Sequence, residues 1–301
     1  MSIVQVILLA IVQGLAELLP VSSSAHVVVA EKLLGLDPSS PQMTLVLVML
    51  HTGTMFAVIA YFWKQWRQSY FATRDAFWRA AIRIVWATVL TGIVGEAIQK
   101  IIEKTAFKGL PKAQIEDLFG RLDWVAPALA AAGVIILIAG LLEKRRMAEY
   151  VDHHADSRDL KTVTMKQAGW IGAVQGLCLP FRGFSRSGAT ISTGMLTGAT
   201  KERAERFSFA LAVVLTPPVV ARESWRLLKA THAAAATGTP IDLHGTVMVA
   251  LLGAVFAFLA GLVALKWLSS WLEKGRWYLF GIYCLAASCV VFYLHYGPMQ
   301  L

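Results

Sequence analysis

The stretch Gln13-Gly14-Leu15-Ala16-Glu17-Leu18-Leu19-Pro20-Val21-Ser22-Ser23-Ser24-Ala25-His26 decides how this chain folds. It closes an uncharged run over residues 3–16, about 14 residues long, which is too short to cross a bilayer core that needs roughly 20. A carboxylate, a proline, three serines and an imidazole arrive where a span would otherwise continue. Irregular backbone is tolerated at that depth only where protein or a wet cavity encloses it, so the segment predicts a re-entrant pair of short helices with a site at the break. A counterpart lies downstream. Gln175-Gly176-Leu177-Cys178-Leu179-Pro180-Phe181-Arg182-Gly183-Phe184-Ser185-Arg186-Ser187-Gly188-Ala189-Thr190 also opens Gln-Gly-Leu and ends in hydroxyls. In each copy a serine stands ten positions after the glutamine, Ser23 after Gln13 and Ser185 after Gln175, and the two copies read as halves of one site.

The rest of the chain supplies the membrane around these breaks. Of 301 residues, 56% are hydrophobic and only 16% charged, too little polar surface for a soluble domain. Residues 124–142 and 245–265 carry no charge, while 43–63 and 277–297 carry one histidine each, His51 and His295. Residues 80–99 include Arg83 and Glu96, and a long helix over about 203–229 contains Pro217-Pro218, which is expected to kink it. These make six spans. The fold class is therefore an all-α integral membrane protein built as an inverted repeat, each half a broken re-entrant helix pair plus three transmembrane helices. The halves are 1–142 and 166–301, joined by a polar linker at 143–165.

Charge and cysteine narrow the function classes. The net charge is +9, but the basic residues are scattered over short loops rather than interleaved with aromatics, which excludes nucleic acid and favours anionic membrane lipid. Positive-inside counting favours the loops at 64–79 and 143–166 as cytoplasmic, against a weaker bias at 103–123, and so puts both termini outside. The first basic residue is Lys32, so the N-terminus lacks the positive region of a signal peptide and is expected to stay in the mature protein. Cys178, Cys284 and Cys289 lack metal-type spacing and are expected to be buried thiols. Asp152-His153-His154-Ala155-Asp156 reads as a solvated part of the linker rather than a metal site.

The two breaks have complementary chemistry. Around Gly183, Ser185, Arg186, Ser187 and Thr190, glycine lets backbone approach an anion, hydroxyls donate, and a helix starting near Ser187 aims free N–H groups outward. Arg186 adds a permanent charge with a fork suited to phosphate oxygens. Glu17 would repel phosphate, so it serves as a proton acceptor, as a ligand to a cation, or as both. Gln13 lies one turn before it on the same helix face. His26 is a candidate base or nucleophile, Ser23 a candidate nucleophile, and Ser22, His51 and Gln175 are candidate supports.

Gln13-x-x-x-Glu17 with Leu19-Pro20-Val21-Ser22-Ser23 and His26, taken with Gly183-Phe184-Ser185-Arg186-Ser187-Gly188-Ala189-Thr190, resembles the bacterial undecaprenyl-diphosphate phosphatases of the bacitracin-resistance family. The resemblance covers nearly the whole chain. It implies a hydrolase of the bacterial cytoplasmic (inner) membrane that removes one phosphate from undecaprenyl diphosphate, recycling the carrier lipid for cell-wall synthesis and conferring resistance to bacitracin. It also implies dependence on a divalent cation, Mg²⁺ or Ca²⁺. Glu17, Ser23 and His26 are then catalytic or metal-associated, with Glu17 the metal ligand, and Ser185, Arg186, Ser187 and Thr190 bind phosphate. Arg186 is expected to be catalytic as well. The nucleophile stays open among Ser23, His26 and water, as does assembly as a monomer or homodimer. One departure is Arg182, which stands where the family usually has proline before the glycine and is expected to alter affinity more than reaction type.

A transporter or flippase of a polyprenyl phosphate is the alternative, because broken helices in inverted repeats are also a transporter design. Type-2 phosphatidic acid phosphatases are excluded. Ser24-Ala25-His26 superficially resembles their Ser-Gly-His motif, but Ser192 stands where they place a histidine.

Overall fold

A computed structural model describes residues 2–36, 41–106, 121–150, 162–236, 243–272 and 275–297. Ten helices form its described part: α1 (Ile3–Leu18), α2 (Ser23–Leu33), α3 (Pro41–Ser69), α4 (Arg74–Ala106), α5 (Leu122–Tyr150), α6 (Met165–Cys178), α7 (Arg186–Leu196), α8 (Lys201–Ala236), α9 (Leu243–Leu272) and α10 (Tyr278–Tyr296). Six of them, α3, α4, α5, α8, α9 and α10, are long and apolar enough to cross a bilayer. The other four are short, and α1, the longest at 16 residues, extends only about 24 Å. The chain is a multi-pass membrane protein whose helix order runs as two short helices then three spans, twice.

Helices outlast the expected spans. The loop at 64–79 shrinks to the few residues between Ser69 and Arg74, because α3 carries Lys64 and Arg67 on its last turns. Cations there favour the negative end of the helix dipole, so the helix continues past the apolar run. In the same way α5 absorbs the first part of the linker, up to Tyr150. Residues 151–161, with Asp152-His153-His154-Ala155-Asp156, and residues 107–120 lie outside the described residues. Pro217 and Pro218 sit inside an unbroken α8, where they remove two backbone donors.

The two hairpins, α1–α2 and α6–α7, are built alike in ways the sequence hid. Each opens with a capping box, Ser2 with Gln5 and Thr164 with Gln167. The same glutamines then reach the far end of their hairpins, Gln5 Nε2 donating to the Leu34 carbonyl at 3.1 Å and Gln167 Nε2 to Thr197 at 3.1 Å. Leu34 and Thr197 are the C-cap residues of α2 and α7, and each helix ends in a Schellman turn on a left-handed glycine, Gly35 or Gly198. A glutamine that ties entry to exit makes each hairpin a closed unit.

Packing carries the hairpins to the centre. Hairpin helix α1 lies on α9 and α6 on α4, while α3 packs on α9 and α8, and α5 on α10. Backbones touch where side chains vanish: a Cβ on Gly172 would lie 2.3 Å from the Ala87 carbonyl oxygen, and Thr91 Oγ1 donates across the same seam to Gly172 at 2.8 Å. The main core joins Phe62, Trp66, Ile136, Phe209 and Trp277, whose indole N–H donates to Ser192 at 2.9 Å. Helix α10 leaves one face outward. Cys289 is consequently exposed, against expectation, while Cys284 is buried and Cys178 half-buried.

Candidate active site

The turns of the two hairpins meet and are bonded to each other. Gly183 N donates to Ser24 Oγ at 3.1 Å and Ser187 Oγ donates to the Leu19 carbonyl at 3.1 Å. Arg186, the first residue of α7, pairs with Glu17 near the end of α1. Gly183 is required at its position. Its φ is +103°, and a Cβ would lie 2.4 Å from the Val125 carbonyl oxygen, so the turn presses directly on α5. The turn forms here with Arg182 before that glycine. In the first hairpin, Ser22 is the one non-glycine among the described residues with a positive φ, 68°. Such backbone costs on the order of 1–3 kcal/mol and persists where the surroundings enforce it, typically at functional sites.

Glu17 is the hub. Its Oε2 accepts from Ser23 Oγ at 2.5 Å and from Gln13 Nε2 at 3.0 Å, and it faces His51 Nε2 at 3.6 Å. Its Oε1 accepts from the Arg186 guanidinium. The Glu17 side chain is 10% exposed and Arg186 27%. One guanidinium nitrogen, Nη1, is buried with no protein partner, and so is Gln13 Oε1. A crevice of about 20 Å³, room for roughly one water, opens beside Glu17, His51 and Arg186 between α3 and α8, with Met55, Phe209 and Val213 on its apolar walls. The arrangement can take a proton from Ser23 and offer a directed cation to an anion.

The structure thus brings together Gln13, Glu17, Ser23, His51 and Arg186. Other expected residues are placed differently. Ser185 Oγ caps α7 by accepting from Gly188 N, Ser187 Oγ is bonded to Leu19, and Thr190 Oγ1 bonds the Arg186 carbonyl and Ser208 Oγ at 2.6 Å. All three are buried, so these hydroxyls shape the cradle and Arg186 faces the crevice. Ser22 caps α2 through Ala25 N. His26 points elsewhere: Nδ1 meets the Ser22 carbonyl at 2.7 Å and Nε2 meets the Tyr283 hydroxyl at 2.7 Å. Gln175 is buried with its carbonyl oxygen unpartnered.

Register also differs from the expected pairing of Ser23 with Ser185. Ser22, nine residues beyond Gln13, caps α2, whereas Ser185, ten beyond Gln175, caps α7. Counted from the glutamine, the second cap falls one residue later, and its turn spans residues 179–185 against 19–22 in the first. Ser23 and Arg186 are therefore the equivalent residues, each the first of its helix, and both reach Glu17. Sequence reading missed Ser208 and Tyr283, which look like ordinary polar and interfacial positions in apolar runs.

For a metal, the described residues at the crevice offer one carboxylate and no cage of protein ligands. Among the described residues no group of three histidine, cysteine or carboxylate side chains lies close enough to hold an ion. Glu17 is the carboxylate of the crevice, and its oxygens already accept from Arg186, Ser23 and Gln13.

The family model described as bacitracin resistance protein BacA matches residues 6–290. The chain is 52% identical over 291 residues to Undecaprenyl-diphosphatase 2 of Acinetobacter baylyi, covering 97% of each chain. It is 33% identical to Undecaprenyl-diphosphatase 2 of Burkholderia ambifaria, over 98% of this chain and 96% of the relative, and 32% identical to that of Burkholderia thailandensis, over 96% and 95%. A match that runs through both hairpins and all six spans places this chain in the bacitracin resistance protein BacA family.

Proposed function

We propose that this protein is a phosphatase of the bacterial cytoplasmic (inner) membrane that hydrolyses undecaprenyl diphosphate to undecaprenyl phosphate and inorganic phosphate. The product is the carrier lipid for cell-wall precursors, and its recycling confers bacitracin resistance. The observation that carries this reading is the Ser23 hydroxyl at 2.5 Å from a Glu17 carboxylate that is also paired with Arg186, in a chain whose relatives are undecaprenyl-diphosphatases. The inverted-repeat reading is supported by the two hairpins sharing one construction and by their packing on the opposite halves, α1 on α9 and α6 on α4.

In the mechanism, Arg186 turns its free Nη1 to the terminal phosphate while its other arm holds Glu17. Ser23 Oγ attacks the terminal phosphorus, and its proton passes to Glu17 as the Ser23 O–P bond forms. The bond from phosphorus to the bridging oxygen breaks, and undecaprenyl phosphate leaves with that electron pair. Water then attacks the phosphoserine, Glu17 returns its proton to the Ser23 oxygen, and the remaining proton of the water goes to solvent. Positioning and charge do most of this work, as in other phosphoryl transfers.

Charge also accounts for the expected cation. Arg186 and Glu17 cancel, so a diphosphate would enter with its negative charge uncompensated. Mg²⁺ or Ca²⁺ is read as arriving on the diphosphate, as part of the substrate. The test is phosphate release from undecaprenyl diphosphate by purified protein in detergent, with and without either metal, for wild type and Glu17→Ala. Metal-dependent release that collapses in the variant is expected. Folded wild type that binds the lipid and releases nothing would support the transporter reading instead.

A further inference from the structure

Two histidines in this protein are held in the same way, and the difference between them assigns a role to a residue outside both motifs. His51 Nδ1 lies 2.8 Å from the Leu47 carbonyl, and His26 Nδ1 lies 2.7 Å from the Ser22 carbonyl, each four residues back along its helix. A carbonyl only accepts, so Nδ1 carries the proton in both rings and Nε2 is the nitrogen left for other work. His51 turns Nε2 towards Glu17, whereas His26 turns it 2.7 Å from the hydroxyl of Tyr283 on α10. In the neutral ring Nε2 is an acceptor, so the Tyr283 hydroxyl donates. The two rings also stack at 5.7 Å with an interplanar angle of 10°.

The carbonyl that His26 holds belongs to the peptide joining Ser22 to Ser23. That peptide follows the one left-handed non-glycine residue among those described, and its orientation sets where Ser23 Oγ sits against Glu17. The backbone N–H of His26 bonds the same oxygen more weakly, at 3.3 Å. If the imidazole proton moved to Nε2, a nitrogen lone pair would face the carbonyl and the clamp would become repulsive. A hydroxyl donating to Nε2 prevents that.

We propose that Tyr283 is a positioning residue: it fixes the protonation of His26, which clamps the Ser22–Ser23 peptide and thereby delivers Ser23 to Glu17. His26 on this account acts on the turn and not on phosphorus. The inference rests on the phosphatase reading for its effect on turnover.

Tyr283→Phe tests it, since phenylalanine keeps the ring stack and removes only the hydroxyl. Phosphate release is measured as kcat and KM on undecaprenyl diphosphate, and the His26 ring is read by ¹⁵N NMR of histidine-labelled protein in detergent, assigned by its loss in His26→Gln. The expected result is a fall in kcat of about ten-fold, the scale of one ordering hydrogen bond, with KM within about two-fold and a mixture of ring tautomers replacing Nδ1–H. Full kcat in the variant would overturn the proposal. So would a loss confined to KM, or an Nδ1–H ring unchanged by the substitution. The NMR readout does not depend on turnover, so a wild type that releases no phosphate defeats the functional reading without deciding the clamp.

Discussion

Arg186→Lys separates charge from geometry at the centre of the site. In the wild type one arm of the guanidinium pairs with Glu17, and Nη1 is buried without a protein partner. A planar fork can therefore bridge the carboxylate and an incoming phosphate, whereas the single ammonium of lysine can serve one or the other. Two unit charges about 4 Å apart interact by about 4 kcal/mol at an effective dielectric near 20, and Arg186 is 27% exposed, so screening trims that. Removing one directed donor to a developing charge costs roughly 3 kcal/mol, which is on the order of 100-fold in rate. Arg186→Lys should lose about that in kcat. Arg186→Ala loses both arms and should fall roughly 1000-fold or more. It should still insert and elute as a single species, because Glu17 keeps its bonds from Ser23 and Gln13. The assay is phosphate release at saturating undecaprenyl diphosphate. A lysine variant within three-fold or so of wild type would refute the bridging role, since charge alone would then suffice.

Gly183→Ala should lower the thermal midpoint in detergent, with a cost of about 2 kcal/mol or more, because the new Cβ would meet the Val125 carbonyl oxygen at 2.4 Å in a left-handed backbone; an unchanged midpoint would show that the turn and α5 separate freely. Ser23→Ala should abolish turnover with lipid binding retained, and residual activity above about one part in a hundred would move the attack to a water held by Glu17. Chelation should stop turnover without moving the melting temperature, since the described residues hold no three-ligand cluster. A midpoint that falls with chelator would reveal a resident ion.

The fold was legible because hydropathy and length act at long range: uncharged runs near the bilayer thickness read as spans, and a carboxylate with serines after a short run reads as a break. Gln13 and Glu17 were legible as one helix face, and they do bond, at 3.0 Å. Helix ends were not, because the basic residues that end an apolar run also stabilise the last turns of a helix, as Lys64 and Arg67 do in α3. The hydroxyls of the second motif promised a phosphate cradle from composition, but Ser185, Ser187 and Thr190 are bonded inward. A serine reads the same whether it caps a helix or binds a ligand. Tyr283 was invisible for a related reason. Its partner His26 is far along the chain and meets it only because α10, packed on α5, brings Tyr283 within reach of α2.

The one-residue difference in spacing from glutamine to cap explains how one hairpin design yields two functions. Were the caps equally spaced from their glutamines, Ser23 would be matched by Ser185, and neither hairpin would bring a cation to that position. The later cap shifts the register by one place, so Ser185 takes the capping task that Ser22 performs and the first helical position falls to Arg186. Ser23 and Arg186 therefore converge on Glu17 from the two hairpins, one with a proton to give and the other with a permanent charge. Glu17 itself has Leu179 as its positional counterpart, so the carboxylate comes from one hairpin and the cation from the other. Neither hairpin alone contains a neutral, proton-accepting site, and the bonds that tie Gly183 to Ser24 and Ser187 to Leu19 are what keep the two contributions in register.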